Sequence, residues 1–446
     1  MRAVRPASTP GRRRGRGPLV AAGLLSLALV ATGCSDEESE EAVGDPAEPA
    51  RVEIAVDPAA LDTEDAPRIG VVLTLDSAPG QGADRRFGAA GAQVAAYRLD
   101  LGGSDVELEV VDDEGTDEGA RTAMKGLVEA GVSGIVVASA GDHLDAALAE
   151  TSDAGVPVLL PYYEPASTPD GVWVTGPDRA SVDSQLLEAL GEDGRDRPFV
   201  VTGDGVALDG VGSADSEALT GANTAAVVRR VLAAAEAGDV DSVVLGAAPG
   251  TLADLVGRLL GRGLDLPIHL SPEAQSPVFA RQLAEDTGTL PGGLISVGAD
   301  AGDTSTLAIG ETGDRAAAFF AALRLAHGDD GLTDLLGSGS FAEVAADADL
   351  ASHDAVVALV RAVEAAGSTA PGEVREALDD LSVDGGDGLA GPALDFSAAQ
   401  ALSREAVTTL VATAQDPGVR PGAQEGGAAR FYWFASDAAA DTTTSG

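Results

Sequence analysis

Short apolar runs alternate with helical patterns along most of the chain from Arg68 onward. The run "IGVVLTL" is continuous and β-branched, which is typical of a parallel strand buried on both faces. Helical spacing follows in "RRFGAAGAQVAAYRLD", then strand-like "VELEVVDDEG" and helical "ARTAMKGLVEAG". The segments "GIVVAS", "LDAALAETSDAG" and "PVLLP" continue the series. This repeated β-α order predicts an α/β fold with a doubly wound parallel sheet.

A second series of the same kind occupies the middle of the chain. It contains the strand-like segments "PFVVTG", "DSVVLGAA" and "LPIHL" and the helical segments "NTAAVVRRVLAAAEAG" and "LADLVGRLLGRG". Two longer helical patterns follow, "RAAAFFAALRLAHG" and "HDAVVALVRAVEAAG", and "FYWF" near the end favours a terminal strand. Two series with helices returning after them predict two lobes, with the chain crossing between them more than once.

The stretch "GIVVASAGD" marks a candidate binding edge in the first series. Ligands of open α/β sheets bind outside the carboxyl ends of the strands, and this strand delivers Ser139 and Ala140 to such an end. Gly141 permits a close approach, and Asp142 is placed to cap the next helix, whose N–H groups would point into a cleft. An ordinary βα turn with a self-satisfied cap accounts for the same residues, so both interpretations stay open.

The N-terminus has the organisation of an export signal. Six arginines within the first 16 residues form a basic region, and the apolar run "LVAAGLLSLALVATG" is short for a bilayer span. The run ends at "VATGC", which resembles the lipobox of bacterial lipoproteins, with Ala31 where that motif usually has Leu. Residues 1–33 are therefore predicted to be a signal peptide, and Cys34, the chain's one cysteine, the lipid acceptor. An uncleaved anchor is the alternative and would leave the protein on the same side of the membrane.

Charge restricts the partners of the mature chain. Removal of residues 1–33 leaves 22 basic against 72 acidic residues, a net charge of −50. Such a chain does not bind nucleic acid through phosphates, and an anionic membrane repels it, so the lipid would have to hold it there. Residues 34–67 are acidic and show little periodicity, and we predict that they form the lipidated Cys and a flexible tether.

Motifs of common enzyme classes are missing from the sequence. It has no GxxxxGK[ST], HExxH or GxSxG, and its four histidines are scattered. A partial dinucleotide fingerprint, Gly80-Gln-Gly82, has Arg85 at its third glycine position and lies too far from the preceding strand. We therefore expect no catalytic residues, no metal site and no cofactor.

The order of segments from about Arg68 to Val411 resembles the type I extracytoplasmic solute-binding proteins of the branched-chain amino-acid ABC-transporter family. The segments that carry this resemblance are "RIGVVLTLDSAPGQGADRRFGAAGAQVA", "VELEVVDDEGTDEGARTAMKGLVEAGVSGIVVAS", "GVPVLLP" with "VWVTGPD", and "ASHDAVVALVRAVEAAGSTAPGEVREALDDLSVDG". The resemblance implies a receptor with two doubly wound lobes, a multi-crossover hinge and a ligand held in the cleft between the lobes.

The resemblance also implies how the chain divides. Residues 68–174 would pack with 300–368 as the N-terminal lobe, and 175–299 with 369–446 as the C-terminal lobe. The family has a helix and a strand where this chain offers only "VALDGVGSADSEALTGA". We therefore expect the second lobe to be trimmed near 204–223.

Candidate ligand contacts follow from the resemblance, residue by residue. Ser139 stands where the family holds an amino acid's carboxylate with a Ser and backbone N–H groups. Where the family presents small residues and a Thr, this chain has Tyr162, Tyr163 and Glu164. The loop "LSPEAQSP" is similar to the one whose Glu receives the ligand ammonium, which maps onto Glu273. The complete candidate set is Ser77, Ser139, Ala140, Gly141, Asp142, Tyr162, Tyr163, Glu164 and Glu273.

The departures from the family pattern bear on specificity. Glu164 would repel a ligand carboxylate a few ångströms away by ~1 to 4 kcal/mol. We therefore expect cationic or polar neutral solutes to bind better than a plain branched-chain amino acid, with a Tyr ring against them. Three alternatives stay open: Glu164 facing solvent, both tyrosines packing under the hinge, and Glu273 charging a helix N-terminus.

These features together predict an extracytoplasmic, lipid-anchored, monomeric protein on the cell membrane. It would capture a small solute, namely an amino acid, an amide or a cationic amine-like compound, and deliver it to an ABC transporter permease. The alternative is a degenerate member of the family that acts as a ligand sensor or surface protein without transport. An enzyme is the third possibility.

The anchor hypothesis predicts the location of a Cys34→Ser variant. The variant should be exported and recovered in the soluble extracytoplasmic fraction, because a lipid chain supplies the membrane affinity that a −50 polypeptide lacks. Fractionation followed by a high-salt wash measures this. Retention of the variant on the membrane after the wash would show that Cys34 does not carry the anchor.

Overall fold

The computed structural model describes residues 52–57, 66–421 and 429–436. The predicted signal peptide and Cys34 lie outside these residues, as does most of the predicted tether. Within the described ranges, no helix combines the length and the apolar character needed to cross a membrane.

The first part of the chain builds one parallel sheet with its helices. Its elements are β1 (Arg68–Leu73), α1 (Ala90–Leu101), β2 (Glu107–Asp112), α2 (Asp117–Ala130), β3 (Gly134–Ala138), α3 (Asp145–Asp153), β4 (Val158–Leu160) and β5 (Val172–Val174). The five strands lie in the order β2-β1-β3-β4-β5, all parallel. Strand β3 is buried at every position, as its continuous apolar run predicts.

The middle of the chain builds most of a second sheet. Its elements are α4 (Arg179–Glu192), β6 (Pro198–Thr202), β7 (Asp215–Ala218), α5 (Thr224–Ala237), β8 (Ser242–Gly246), α6 (Pro249–Gly261), β9 (Ile268–Leu270), α7 (Pro277–Thr287) and β10 (Ile295–Ala299). These strands are parallel in the order β7-β6-β8-β9-β10. The edge strand β7 follows β6 without an intervening helix, so the trimmed region keeps its strand and has only a loop in place of the helix.

The last part of the chain contributes to both lobes. Its elements are α8 (Glu311–His327), α9 (Leu350–Ala366), α10 (Pro371–Leu378), β11 (Ser382–Val383), β12 (Leu394–Asp395), β13 (Val407–Thr413) and β14 (Tyr432–Ala435). Strand β13 pairs antiparallel with β10, and β14, the predicted "FYWF" strand, pairs with β13 at the sheet's edge. The fold is thus the predicted one: two α/β lobes, with the chain passing between them more than once.

Helix α9 forms the centre of the first lobe. It begins at the N-cap Asp349, whose side chain accepts a hydrogen bond from Ser352 N, and ends at Gly367 in the left-handed conformation. Its Val, Leu and Ala side chains are buried on several faces, because α9 packs against α1, α10 and β3 at once. Gly134 lies directly against Leu359 of α9 and leaves no room for a side chain there.

Two predicted boundaries differ from the structure. The chain returns to the second sheet at β13 rather than at residue 369, because Val374, Leu378 and Phe396 are buried in the first lobe's core with β1 and α9. Residues 52–57 fall in the predicted tether, yet they pack on the first lobe. Val56 is buried there, and its N–H donates to Arg98 O at 3.0 Å, so apolar burial and a backbone hydrogen bond hold this piece.

Ion pairs connect the two lobes near the segments in which the chain passes from one lobe to the other. Asp347, in a short turn of the first lobe, accepts from Arg281 of α7 at 2.9 and 3.1 Å and from Arg430 at 2.6 Å. Arg420 forms a two-pronged contact with Asp303 at 2.7 and 2.9 Å. These groups are largely buried, so removing one partner leaves charges without compensation.

The Asp347 cluster predicts the effect of Asp347→Ala. The variant should lose about 3 kcal/mol of unfolding free energy, because Arg281 and Arg430 both lose their carboxylate. It should also have a larger radius of gyration in solution X-ray scattering, since the lobes lose this connection. The exposed Asp330→Ala is the matched control and should change neither quantity. Equal values for both variants would mean that the cluster does not hold the lobes together.

Candidate functional site

A cavity of about 610 Å³ lies between the two lobes. It is lined by the loops that follow β1, β3, β4 and β5 in the first lobe and β6, β8, β9 and β10 in the second. Segments near Asp349 and Tyr432 complete the wall. The carboxyl ends of the parallel strands of both sheets therefore meet at one cleft, the position at which open α/β sheets bind ligands.

Seven of the nine predicted contact residues line this cavity. They include Tyr162, which comes from the loop after β4 in the first lobe, and Glu273, which lies in the short turn Pro272–Gln275 after β9 in the second. Ser77 and Ser139 do not line it. The seven are Ala140, Gly141, Asp142, Tyr162, Tyr163, Glu164 and Glu273.

Ser139 is fully buried inside the first lobe rather than facing the cleft. Its hydroxyl lies 2.5 Å from Thr74 Oγ1, and Thr74 in turn donates to Asp113 Oδ1 at 2.7 Å. His143 continues this chain: its Nε2 lies 3.1 Å from Asp113 Oδ2, and its Nδ1 lies 3.0 Å from the side-chain oxygen of Gln81 in the cleft wall. Ser139 thus anchors a buried polar network behind the cleft.

Ser77 organises the loop after β1. Its hydroxyl donates to Ala78 O and accepts from Ala83 N at 3.2 Å, which closes a local turn.

Asp142 is exposed, and its side chain makes no helix-capping hydrogen bond. The sequence predicts Asp142 at the start of the next helix, but the short 3-10 turn Asp142–Leu144 separates it from α3. Gly141 has φ +126°, so a side chain at this position would be strained.

Tyr162 belongs to a buried cluster with Asp349 and Arg85. Its hydroxyl contacts the Asp349 carboxylate and Ser352 Oγ, and the Arg85 guanidinium carbon lies 5.3 Å from its ring centroid. Burial, followed by the charge of Asp349, raises the pKa of Tyr162 well above its usual value. Burial also raises the pKa of Asp349, although hydrogen bonds from Tyr162 and Ser352 oppose that change.

Two further residues of the predicted contact set form hydrogen bonds within the protein. Tyr163 donates to Asp145 Oδ1 at 2.7 Å. Glu164 accepts from the backbone N–H of Arg179 at 2.7 Å, at the first residue of α4. Its carboxylate therefore satisfies a helix N-terminus beside the hinge, which is a favourable place for negative charge.

Glu273 and Arg85 face each other across the cleft. Arg85 Nη2 of the first lobe lies 3.8 Å from Glu273 Oε1 of the second, and the side chains are 17% and 23% exposed. Glu273 Oε2 is buried without a hydrogen-bond partner among the residues that the structure describes. Burial lowers the pKa of Arg85, but the nearby Asp84, Glu273, Tyr162 and Asp349 together raise it more, so the guanidinium stays charged.

The sequence prediction did not include several residues of the cleft wall. Arg85 and Asp204 lie in the loops that follow β1 and β6, so the strand-end rule that selected Ser139 could also have selected them. Asp204 has φ +52°, and its carbonyl lies directly against Gly80 of the opposite lobe. Asp349 reaches the cleft only through the packing of α9, and its sole sequence signal is that of a helix cap.

The cavity wall is strongly acidic. Of its charged side chains, four are arginines and eleven are carboxylates. Asp303 and Asp347 have arginine partners, and Asp354 accepts backbone hydrogen bonds from Ala390 and Gly391 at 2.8 and 2.7 Å. Among the described residues, no group of three or more His, Cys, Asp or Glu has an arrangement that could hold a metal ion.

Comparison with known proteins agrees with this architecture. The family model described as "periplasmic binding protein" matches residues 67–416. The chain belongs to this family. Its members are extracytoplasmic solute-binding proteins, and the predicted relationship to type I binding proteins of the branched-chain amino-acid group is confirmed. No curated protein matches this chain.

Solved structures share the fold at low sequence identity. A periplasmic binding protein type 1 from Bordetella pertussis has 15% identity and a TM-score of 0.60, covering 83% of this chain and 100% of that chain. The branched-chain amino acid transporter substrate-binding protein LivJ from Streptococcus pneumoniae, in complex with isoleucine, has 17% identity, a TM-score of 0.59 and the same coverages. A fatty acid ABC transporter substrate-binding protein from Thermomonospora curvata has 18% identity and a TM-score of 0.58, covering 86% and 96%.

The network behind Ser139 predicts a pH-dependent effect of Asp113→Asn. Burial raises the pKa of Asp113, but hydrogen bonds from His143, Thr74 and Gly115 hold it below its usual 3.8. Its contribution to stability is therefore present above pH 3.8 and is lost as the pH falls through the lower folded-state pKa. Asp113→Asn should cost about 2 kcal/mol of unfolding free energy at pH 7 and clearly less at pH 3, measured by urea unfolding.

The exposed Asp100→Asn is the control for this measurement. It should change stability little at either pH, because its carboxylate lies at the surface. An Asp113→Asn deficit of the same size at pH 3 and pH 7 would contradict the role assigned to the charged carboxylate.

Proposed function

We propose that this protein captures a small solute in the cleft between its lobes and delivers it to an ABC transporter permease. The solute is an amino acid, an amide or a cationic amine-like compound. The protein would work as a monomer on the extracytoplasmic face of the cell membrane, held there by a lipid on Cys34, without catalysing a reaction.

The Glu273 carboxylate is the observation that carries this proposal. One of its oxygens is buried in the cleft wall without a partner among the described residues, and the other has only the 3.8 Å contact with Arg85. A buried carboxylate oxygen without a hydrogen bond is unfavourable by about 1–3 kcal/mol, more when charged, so a donor group on a solute would relieve that penalty. An ammonium or amide N–H is such a donor.

The charge of the cleft supports the same class of solute. Eleven carboxylates against four arginines line the cavity, so its wall favours cations and donors over plain anions. Glu164 contributes less than its position suggests, because its carboxylate already accepts from α4. Tyr162 also offers less stacking surface, since Arg85 already lies near its ring.

The structural neighbours suggest the size of the solute. The names of several refer to isoleucine, leucine or a fatty acid. A cavity of about 610 Å³ accommodates an amino acid and has room for a larger side chain. We therefore include amino acids with long polar or cationic side chains in the proposed class.

A thermal-shift screen of the purified full chain tests the proposal. A solute at about 100 times its dissociation constant should stabilise the protein by ~2.7 kcal/mol. Glu273→Gln should weaken an amine-bearing hit about 10-fold or more, because a buried charge pair is lost. Glu164→Gln, which also removes one carboxylate from the wall, is the matched control and should have a smaller effect.

The outcome also separates transport from the alternative sensor role. A solute that binds and is taken up by cells only when this protein is present supports delivery to a permease. Binding without any uptake would favour a ligand sensor. If amides, amines and amino acids all leave the thermal transition unchanged, the solute-binding proposal is wrong.

A further inference from the structure

We infer that Gly80 of the first lobe and Asp204 of the second form the contact at which the cleft stops closing. The pair, which we name the closing stop, brings backbone against backbone across the cleft and leaves no room for a side chain at residue 80. A residue larger than glycine at this position holds the lobes apart. Because lobe motion does not depend on which solute binds, the closing stop goes beyond the proposed function.

Gly80 meets the backbone of Asp204 directly. A β-carbon at residue 80 would collide with the Asp204 carbonyl oxygen. A second contact between the same loop and the second lobe is looser, because Arg85 Nη2 lies 3.8 Å from Glu273 Oε1. Long side chains can change rotamer at such a contact, whereas two abutting backbones cannot. The approach of Gly80 to Asp204 therefore limits how near the lobes come.

The backbone conformations of the two residues are unusual. Gly80 has φ +79°, which glycine adopts readily, and Asp204 has φ +52°, in the left-handed region that other residues rarely occupy. Among the described residues other than glycine, only Glu114 shares a positive φ with Asp204. Strained backbone of this kind clusters at sites where a protein changes conformation. In this protein it lies where the two lobes touch.

The loop that carries Gly80 is fixed to the first lobe. Gln81 N donates to Ala78 O at 3.1 Å, and the side-chain oxygen of Gln81 lies 3.0 Å from His143 Nδ1. Gly82 is buried against the polar network behind the cleft. These contacts lie on both sides of residue 80, so an added methyl group would press on the second lobe rather than displace its own loop.

The loop that carries Asp204 is fixed to the second lobe in the same way. Gly203 N donates to Gly246 O of β8 at 2.8 Å, and Val206 N donates to Gly203 O at 3.0 Å, which closes a tight turn around Asp204. With both loops held, a larger residue at position 80 is accommodated by rotation of the lobes. Such rotation needs changes in only a few residues of the segments that join the lobes.

The distance between spin labels on the two lobes tests the closing stop in the purified full chain. The labels are attached through Glu129→Cys in α2 and Glu236→Cys in α5, both exposed positions, with Cys34→Ser to remove the chain's own thiol. Gly80→Ala should lengthen this distance by several ångströms, measured by electron paramagnetic resonance without any solute. The radius of gyration should increase as well, because the added methyl group separates the lobes.

Gly103→Ala is the matched control. Gly103 also belongs to the first lobe and also has a positive φ, +91°, but a β-carbon at this residue would meet no atom within 4 Å. Both variants therefore strain the backbone, and only Gly80→Ala adds a contact with the second lobe. Gly103→Ala should lower the melting temperature without changing the label distance or the radius of gyration.

Two further variants separate the contact from backbone strain. Gly80→Asn, whose residue type tolerates a positive φ better than alanine, should also open the cleft, which keeps the test valid if Gly80→Ala folds poorly. Asp204→Gly gives the loop after β6 more freedom to retreat, so Gly80→Ala should lengthen the label distance less in this background.

The measured distances decide the outcome. An unchanged label distance in the folded Gly80→Ala and Gly80→Asn variants overturns the closing stop, and so does an equal increase in Gly103→Ala. An increase of the same size with Asp204 and with Asp204→Gly would remove Asp204 from the contact and overturn the pairing. Since no solute is added, a solute screen without hits would count against the proposed function alone.

Discussion

The parallel strands of both sheets direct their carboxyl ends toward the same gap, and the side chains that line the cavity depend on that arrangement. A parallel strand can be buried on both faces only if helices cover it, so the variable chemistry is left to the loops at its ends. In this protein those loops supply Arg85, Tyr162 and Asp204, and the turn after β9 adds Glu273. The cavity is therefore a consequence of the fold, whereas its chemistry comes from a small number of loop residues.

Charge balance is the second constraint on the cleft. The chain is strongly acidic, and the cavity wall repeats this excess with eleven carboxylates and four arginines. Buried carboxylates need partners, and the arginines that provide them, such as Arg281 and Arg430 at Asp347, also join the lobes. Arg85 differs from these because its ion-pair contacts are longer than hydrogen bonds. Arg281 and Arg430 thus stabilise the contact between the lobes, whereas Arg85 lines the cavity without an ion-pair contact of hydrogen-bond length.

Several residues whose side chains could bind a ligand instead form hydrogen bonds within the protein. Ser139 and Glu164 are examples: the first donates into a network with Thr74 and Asp113, and the second accepts from the start of α4. Their partners lie between 15 and 65 residues away in sequence. A motif comparison cannot detect such partners, because it compares residue types and spacing but not which hydrogen bonds have already formed.

The sequence by itself determined the α/β class, the two lobes, the strands β1 to β6, β8, β9 and β14, the long helices α8 and α9 and the edge at which a ligand would bind, but it missed β7, β10 and β13 of the second sheet. These follow from local patterns, since continuous apolar runs and helical spacing are properties of neighbouring residues. Only the tertiary structure decided that residues 371–402 belong to the first lobe, that Val56 packs on it, and that Arg85 faces Glu273. Those outcomes depend on side chains far apart in the chain competing for the same buried space and the same hydrogen-bond partners, which no local pattern records.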